Sequence, residues 1–254
     1  MAVIVYENIS KTFDGGKTYA VDGVSAEIEK GEFVTILGSS GCGKTTLLKL
    51  TNRLYEPDGG RILVEGKDTS GLDPVRLRRS MGYVIQQVGL FPHMTVEGNI
   101  TAVPSLMKWD KGRMKERADQ LLRLVGLEPS EFRDRYPHQL SGGQQQRIGL
   151  ARALVLDPDI MLMDEPFGAI DAITRLNLQN ELMKIHKELG KTVLFVTHDI
   201  DEAFRLGDRV MVMNQGKILQ FGKPSEIAKE PADGFVRSLI ESARSKETFW
   251  TDNQ

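Results

Sequence analysis

The residues best suited to chemistry lie in one glycine-rich stretch, where a lysine and a threonine follow directly after a glycine. The stretch reads Gly38-Ser39-Ser40-Gly41-Cys42-Gly43-Lys44-Thr45-Thr46. The spacing G-x-x-x-x-G-K-[ST] is typical of a loop whose backbone N–H groups surround phosphate oxygens. In such a loop we expect Lys44 to reach the β- and γ-phosphates of a nucleotide and the Thr45 hydroxyl to bind Mg²⁺.

The sequence on either side of this loop favours that interpretation over a chance loop of glycines and serines. The apolar run from Phe33 to Leu37 precedes it and predicts a strand, and a helical segment follows from Leu47. The start of that helix adds partial positive charge where phosphate would bind. The same surroundings are expected to favour the thiolate form of Cys42.

The composition is that of a globular protein with one large domain or two small ones. The chain has 254 residues, 40% of them hydrophobic and 27% charged, and a formal net charge of −2, which gives no general attraction to nucleic acid. Cys42 is the only cysteine, so no intrachain disulfide is possible and a reducing compartment is expected. No signal peptide is expected at the N-terminus, and no run approaches the roughly 18 apolar residues of a membrane span.

The order of apolar runs and turn residues predicts an α/β fold. Strand patterns lie between residues 2 and 36, at Arg61–Gly66, at Tyr83–Ile85, at Ile160–Met163 and at Thr192–Val196, with a hairpin over 210–221. Helical spacing dominates from about 90 to 155, which predicts an inserted helical subdomain. We assign 1–242 to one domain and 243–254 to a polar C-terminal tail.

Two acidic residues follow the apolar run that ends at Met163. An aspartate at the tip of a buried strand beside a phosphate loop is placed to hold Mg²⁺, which predicts that role for Asp164. Glu165 comes one residue later, where a carboxylate can accept a proton from an attacking water. Without the loop upstream, a carboxylate pair in a solvated turn would explain both residues equally well.

A second glycine-rich stretch predicts a second anion-binding helix start. It reads Leu140-Ser141-Gly142-Gly143-Gln144, and a helical pattern follows from Arg147. The first N–H groups of a helix have no partner within the helix, so they are donors for an anion. The single phosphate loop of this chain does not by itself explain why a second anion-binding site is present.

At this point the chain resembles the ATP-binding-cassette (ABC) ATPases, whose signature is this second stretch. The resemblance extends from about Val3 to Phe221 and keeps the family motifs in order. It implies a P-loop NTPase core with a flanking antiparallel β-subdomain and an inserted α-helical subdomain. It also implies ATP and Mg²⁺ as cofactors and a head-to-tail pair of cassettes. In that pair, the nucleotide bound by the P-loop of one chain is covered by four residues of the other chain, which are Ser141, Gly142, Gly143 and Gln144.

The resemblance implies roles for further residues. Gln86 matches the glutamine that senses Mg²⁺ and the attacking water, with Gln87 as a weaker alternative, and His198 matches the histidine that contacts the γ-phosphate. Asp171 matches the aspartate of the D-loop, although this chain has Gly168 and Ile170 where the family usually has Ser and Leu.

The resemblance also implies an aromatic residue that stacks on adenine. Phe13 matches its position, with Tyr19 as the rival and a plain core role for Phe13 as the other alternative. His93, His138 and His186 lack ligand spacing, so the only metal expected is the Mg²⁺ that comes with the nucleotide.

Within the family, the motifs around Gln86 and Glu165 look most like those of subunits that import glycine betaine, carnitine or choline. The implied partners are a second ATPase chain, most simply a copy of this one, membrane permease subunits and, indirectly, a solute-binding protein, with no nucleic acid. The implied location is the cytoplasmic face of the membrane, as a peripheral subunit. No regulatory module of the cystathionine-synthase type is expected after the cassette. The alternatives are an importer of another solute, a soluble ABC ATPase acting on ribosomes or DNA, and a non-hydrolysing switch.

Overall fold

The computed structural model describes residues 1–168, 170–232 and 234–251, and side chains as far as residue 243. The strands are β1 (Ala2–Thr12), β2 (Tyr19–Glu29), β3 (Phe33–Gly38), β4 (Gly59–Val64), β5 (Lys67–Asp68), β6 (Met81–Val84), β7 (Ile160–Asp164), β8 (Thr192–Thr197), β9 (Arg209–Asn214) and β10 (Lys217–Gly222). The helices are α1 (Lys44–Thr51), α2 (Pro74–Arg79), α3 (Val96–Ile100), α4 (Ala102–Leu106), α5 (Lys111–Leu124), α6 (Pro129–Phe132), α7 (Gly142–Ala153), α8 (Ala172–Leu189), α9 (Ile200–Leu206), α10 (Pro224–Lys229) and α11 (Gly234–Thr251).

The chain forms two compact units that are not contiguous in sequence. The first unit comprises Met1–Arg78 and Thr192–Gln254, and the second comprises Arg79–Lys191. The second unit contains all of the segment 90–155 for which the sequence predicts a helical insertion. It also contains β6, β7 and α8, so it is wider than that segment.

The first unit begins with an antiparallel sheet in the order β2-β1-β4-β5. Tyr6 of β1 lies in register with Ala26 on one side and with Ile62 on the other. Its ring is fully buried, and its hydroxyl is hydrogen-bonded to Thr51 Oγ1 of α1 at 2.6 Å. This bond connects the antiparallel sheet to the helix that follows the glycine-rich loop.

The same unit contains a set of parallel strands that carries the loop. β3 pairs in parallel with β8, with Leu37 opposite Thr197, and on its other side with β9, with Gly38 opposite Met213. Every residue of β3 and β8 is buried. Because the carboxyl ends of parallel strands meet at one edge of a sheet, the residues after Gly38 and after Thr197 start from neighbouring positions.

The second unit contains the parallel pair β6 and β7, with Val84 opposite Met163. The strand that the sequence predicts at Tyr83–Ile85 is observed as β6, which begins two residues earlier and ends one residue sooner. Helix α7 packs closely on β6, since a Cβ added at Gly82 would lie 2.7 Å from the Ala153 carbonyl oxygen.

The end of the chain is helical. Val236 and Ile240 of α11 join a buried cluster with Leu37, Val212 and Ile227. Helix α11 continues to Thr251, so most of the predicted tail 243–254 is helix, a continuation of the periodic pattern that starts at Gly234. The side chains of Phe249 and Trp250, which stand out in the tail, lie outside the described residues. Among the helices the structure describes, none is both long and apolar enough to cross a membrane.

Candidate nucleotide-binding site

The glycine-rich loop connects β3 to α1 and requires glycine at two points. Gly43 caps α1 with a φ of 108°, and a Cβ there would lie 2.1 Å from the Ala20 carbonyl oxygen. A Cβ on Gly38 would lie 2.2 Å from the Met213 carbonyl oxygen. Ala20 and Met213 therefore fix the path of the loop, and no short motif identifies them as part of the site.

The lysine of the loop is held by the loop itself. Lys44 is 5% exposed, and its Nζ donates to the Gly38 and Ser39 carbonyl oxygens at 2.8 and 2.9 Å. The buried ammonium is thus hydrogen-bonded, as a buried charge must be. Gly41 has a φ of 77° and no atom within 4 Å of a Cβ, which leaves open space at the top of the loop. A cationic loop with open space above it suits a polyphosphate.

The expectation that Cys42 is activated as a thiolate is wrong. Cys42 is 3% exposed, and burial raises the pKa of its thiol, although Lys44 and a backbone hydrogen bond act in the opposite direction. Desolvation of the charged form prevails over the attraction of the nearby ammonium. The thiol packs beneath the loop, so that a Cβ on Gly38 would lie 2.6 Å from its Sγ.

His198 is exposed and follows directly after β8. Since Thr197 is paired with Leu37, His198 and the glycine-rich loop leave neighbouring strands at the same edge. The turn after His198 is fixed by hydrogen bonds, because the Thr197 hydroxyl bonds the buried Glu202 carboxylate and accepts from the Asp199 N–H at 3.0 Å.

Phe13 is 60% exposed and Tyr19 is 45% exposed, so the core interpretation of Phe13 is wrong. The Phe13 ring packs edge-on against Tyr55 with centroids 5.1 Å apart, and Lys11 Nζ lies 5.6 Å from its centre. Both aromatic residues belong to the first unit, at the ends of the paired strands β1 and β2. Phe13 and Tyr19 therefore both remain candidates for stacking on a base.

The second unit brings Gln86 and Glu165 together. Gln86 Nε2 donates to Glu165 Oε2 at 3.3 Å. Asp164, the last residue of β7, is 6% exposed, and the half-buried Glu165 has a φ of 43°. A non-glycine residue in the left-handed region is uncommon, and such positions concentrate at functional sites. Gln87 is exposed and makes no such contact with Glu165.

The second glycine-rich stretch is a capped helix start. Ser141 Oγ accepts from the Gln144 N–H at 3.3 Å, and Gln144 Oε1 accepts from the Ser141 N–H at 2.9 Å. One of the helix-start N–H groups expected to be bare is thus engaged. Gly142 is exposed, and no atom lies within 4 Å of a Cβ built there.

Gly143 has a packing role that the sequence did not indicate. It is buried, and a Cβ on it would lie 2.8 Å from Thr174 Cγ2 on α8. Asp171 caps the same helix by accepting from the Thr174 N–H at 3.0 Å, and this hydrogen bond is the main reason that its pKa is lowered. The predicted D-loop begins at Gly168 and ends at Asp171, and its Ala169 lies outside the described residues.

Each unit, considered by itself, offers an oxygen donor that suits a Mg²⁺ ion arriving with a nucleotide. The Thr45 hydroxyl belongs to the first unit and the buried Asp164 carboxylate to the second, and each is a hard oxygen donor of the kind that Mg²⁺ prefers. In the part of the chain that the structure describes, no three His, Cys, Asp or Glu side chains gather into a cage for a metal. Such an ion would take its remaining ligands from phosphate and water, as is usual for Mg²⁺.

Comparison with known proteins identifies the class that this fold and these motifs define. The family model of the ABC transporter matches residues 21–168, which is more than half of the chain, and the chain belongs to that family. It superimposes on the dimeric, post-hydrolysis structure of the ATP-binding cassette MJ0796 bound to ADP and Pi, with a TM-score of 0.77 and 37% identity over 87% of this chain and 98% of that one.

Two curated relatives are similar over almost the whole chain. The choline transport ATP-binding protein OpuBA of Bacillus subtilis is 54% identical over 95% of this chain and 63% of its own length. The glycine betaine/carnitine/choline transport ATP-binding protein OpuCA of the same organism is 54% identical over 94% of this chain and 62% of its own length. The chain therefore spans about three fifths of the length of these relatives.

Proposed function

We propose that this chain is the ATP-hydrolysing subunit of an ABC importer for a quaternary-amine osmoprotectant such as glycine betaine, carnitine or choline. The observation that carries the enzymatic part is the Glu165 carboxylate at the end of β7, which accepts a hydrogen bond from Gln86. The choice of cargo is supported by relatives that are named for choline, carnitine and glycine betaine transport.

In the proposed reaction, Lys44 and the loop N–H groups hold the phosphates of ATP, and Thr45 and Asp164 would offer oxygen ligands to Mg²⁺. The ion supplies positive charge that offsets the charge developing on the phosphates. Glu165 takes a proton from water as the water oxygen bonds the γ-phosphorus. The bond from that phosphorus to its bridging oxygen breaks, and ADP and phosphate leave. His198 contacts the γ-phosphate, and Phe13, or in the alternative Tyr19, stacks on adenine.

A second copy of this chain completes each site in the proposal. Ser141, Gly142, Gly143 and Gln144 of one copy face the γ-phosphate held by Lys44 of the other, with Asp171 at the same interface. Support comes from the dimeric neighbour structure and from the capped helix start at Ser141.

Mixing two defective variants tests this trans assembly. Ser141→Arg chains combined with Lys44→Ala chains form one composite site with both residues intact, so ATPase activity should return in part. If heterodimers form but ATPase activity does not return, this would contradict trans assembly in which each site turns over independently.

The proposed partner in the membrane is a permease, with a solute-binding protein acting through it and no nucleic acid involved. The second unit exposes Ile85, Phe91, Leu106 and Met107, with Leu106 76% exposed, and apolar side chains of this kind are typical of a docking surface. The chain would then work as a peripheral subunit at the cytoplasmic face of the membrane. Copurification with ribosomes instead of membrane proteins would favour the soluble alternative.

Uptake measurements test the whole proposal. Cells that lack this chain should lose uptake of labelled choline, carnitine or glycine betaine at high osmolarity. The wild-type chain should restore uptake, and the Lys44→Ala chain should not. Normal uptake of all three solutes in cells without the chain would contradict the choice of cargo, while ATPase activity of the purified chain would still support the enzymatic part.

A further inference from the structure

Arg152, in the last turn of α7, contacts the segment that follows Gln86. Its Nη2 donates to the Val88 carbonyl oxygen at 2.6 Å, and its Nη1 donates to the Gly89 carbonyl oxygen at 2.8 Å. One planar guanidinium thus bonds two consecutive backbone carbonyls through two separate nitrogens, whereas a lysine ammonium has a single nitrogen and no fixed fork. Arg152 does not belong to any of the motifs identified from the sequence.

Close packing reinforces this contact one turn earlier on the same helix. A Cβ on Gly149 would lie 2.8 Å from Val88 Cγ1, so α7 approaches the segment as closely as a glycine allows. Gly89 has a φ of 56°, which suits glycine, and this conformation turns the chain where Arg152 bonds it. The segment is therefore fixed both by hydrogen bonds and by its fit against the helix.

The charge of Arg152 is partly withdrawn from water. Burial lowers the pKa of its guanidinium, although not enough for an arginine to lose its proton. Hydrogen bonds to a charged group are stronger than those between neutral groups. The two hydrogen bonds of Arg152 should therefore hold Val88 and Gly89 firmly against α7.

Helix α7 carries Ser141 at its other end, so the contact connects two parts of the proposed catalytic machinery. We infer that Arg152 is a positioning residue, which fixes Val88 and Gly89 to α7 so that the Gln86–Glu165 contact and Ser141 move together. The inference rests on the proposed function, in which Glu165 is the general base. It predicts that loss of Arg152 misplaces Gln86 without disturbing the loop that holds the phosphates.

The test compares Arg152→Gln with Arg117→Gln. Arg117 of α5 makes the same kind of contact at the C-terminal end of α7, because it donates to the Leu154 and Val155 carbonyl oxygens at 3.0 and 3.1 Å. It does not bond the segment after Gln86. For Arg152→Gln, kcat for ATP should fall roughly 10- to 100-fold, with KM within about twofold of wild type. Arg152→Lys should fall in between, and Arg117→Gln should keep kcat.

Amide hydrogen exchange gives a reading that does not depend on activity. Without nucleotide, exchange of the Phe91 N–H, which donates to Asn99 Oδ1 at 2.7 Å directly after this segment, should accelerate about tenfold or more in Arg152→Gln and stay at the wild-type rate in Arg117→Gln. If Arg152→Gln does not fold, Arg152→Lys carries both measurements. Unchanged exchange, or a rise in KM with unchanged kcat, would overturn the inference. A wild-type chain without ATPase activity would overturn the proposed function instead, and exchange would still decide whether Arg152 holds the segment.

Discussion

Gln86 and Glu165 are in contact because they occupy equivalent places just beyond two paired parallel strands, β6 and β7. Each lies two residues beyond the paired positions Val84 and Met163, and Gln86 Nε2 donates to Glu165 Oε2 at 3.3 Å. An amide that donates to one carboxylate oxygen restricts the orientation of that carboxylate. The proposed general base is therefore oriented by Gln86, the residue that the family resemblance matches to the glutamine that senses Mg²⁺ and the attacking water.

The first prediction separates the two glutamines that the sequence left open. Gln86→Ala should lower kcat for ATP by about tenfold or more, since it removes the side chain that orients Glu165. Gln87→Ala is the matched control, and we expect its kcat to stay within about twofold of wild type, because Gln87 makes no contact with Glu165. A larger loss in Gln87→Ala than in Gln86→Ala, measured in the same ATPase assay, would reverse the assignment.

The second prediction concerns the packing role of Gly143. Gly143→Ala should lower the free energy of unfolding by about 1–3 kcal/mol, because the new Cβ meets Thr174 Cγ2 at 2.8 Å. Gly142→Ala, whose Cβ meets no atom within 4 Å, should leave the stability unchanged or raise it by about 0.5–1 kcal/mol. Denaturant unfolding without nucleotide measures both.

A second substitution identifies the cause of the loss. Thr174→Ser removes Cγ2 and keeps the backbone N–H that Asp171 caps. Combined with Gly143→Ala, it should recover most of the lost stability, and a double-mutant cycle measures the coupling. Purely additive effects would show that the strain arises somewhere other than this contact.

Strands and helices next to the site could be predicted from the sequence, since apolar periodicity reports local structure. The runs Phe33–Leu37 and Thr192–Val196 lie within β3 and β8, and the helical pattern that follows from Leu47 falls in α1. Contacts between distant segments leave no such signal. Gly143 against Thr174, and Arg152 on Val88 and Gly89, depend on how helices pack, which a single sequence does not report.

The prediction of a thiolate at Cys42 was wrong because the sequence shows nearby charges but not burial. The helix start and Lys44 near Cys42 predicted a thiolate, because both are visible in the sequence. The burial that raises the thiol pKa is a property of the folded chain, and it is the larger effect here. For the same reason, the sequence could not decide whether Phe13 is exposed or in the core.

The third prediction follows from the burial of Cys42. Iodoacetamide should label the native chain at pH 7.5 at least about tenfold more slowly than the urea-unfolded chain, because the thiol is buried and its raised pKa leaves little thiolate. The native rate should rise as the pH increases beyond the ordinary thiol pKa. Since the folded pKa exceeds the unfolded one, ionisation of Cys42 should also reduce stability over that alkaline range and leave it unaffected below. Equal labelling rates in the native and unfolded chains would contradict this.

The fourth prediction separates the two aromatic candidates for adenine. If Phe13 stacks on the base, Phe13→Ala should raise the Kd for ATP roughly 5- to 150-fold, as base–aromatic stacking is worth about 1–3 kcal/mol. Tyr19→Ala should then leave Kd within about twofold of wild type, and calorimetric titration with a non-hydrolysable ATP analogue measures both. The opposite pattern would assign the stacking to Tyr19.

The proposed role of Glu165 is tested most directly by Glu165→Gln, measured for ATPase rate and for assembly on a size-exclusion column with MgATP. The substitution keeps the size of the side chain and removes the carboxylate that accepts the proton. Hydrolysis should fall roughly 10²–10⁴-fold, while ATP remains bound by Lys44 and the loop and holds two chains together as a dimer. Lys44→Ala, in contrast, should bind ATP weakly and elute as a monomer. A Glu165→Gln chain that hydrolyses ATP at the wild-type rate would contradict the assignment of Glu165 as the base.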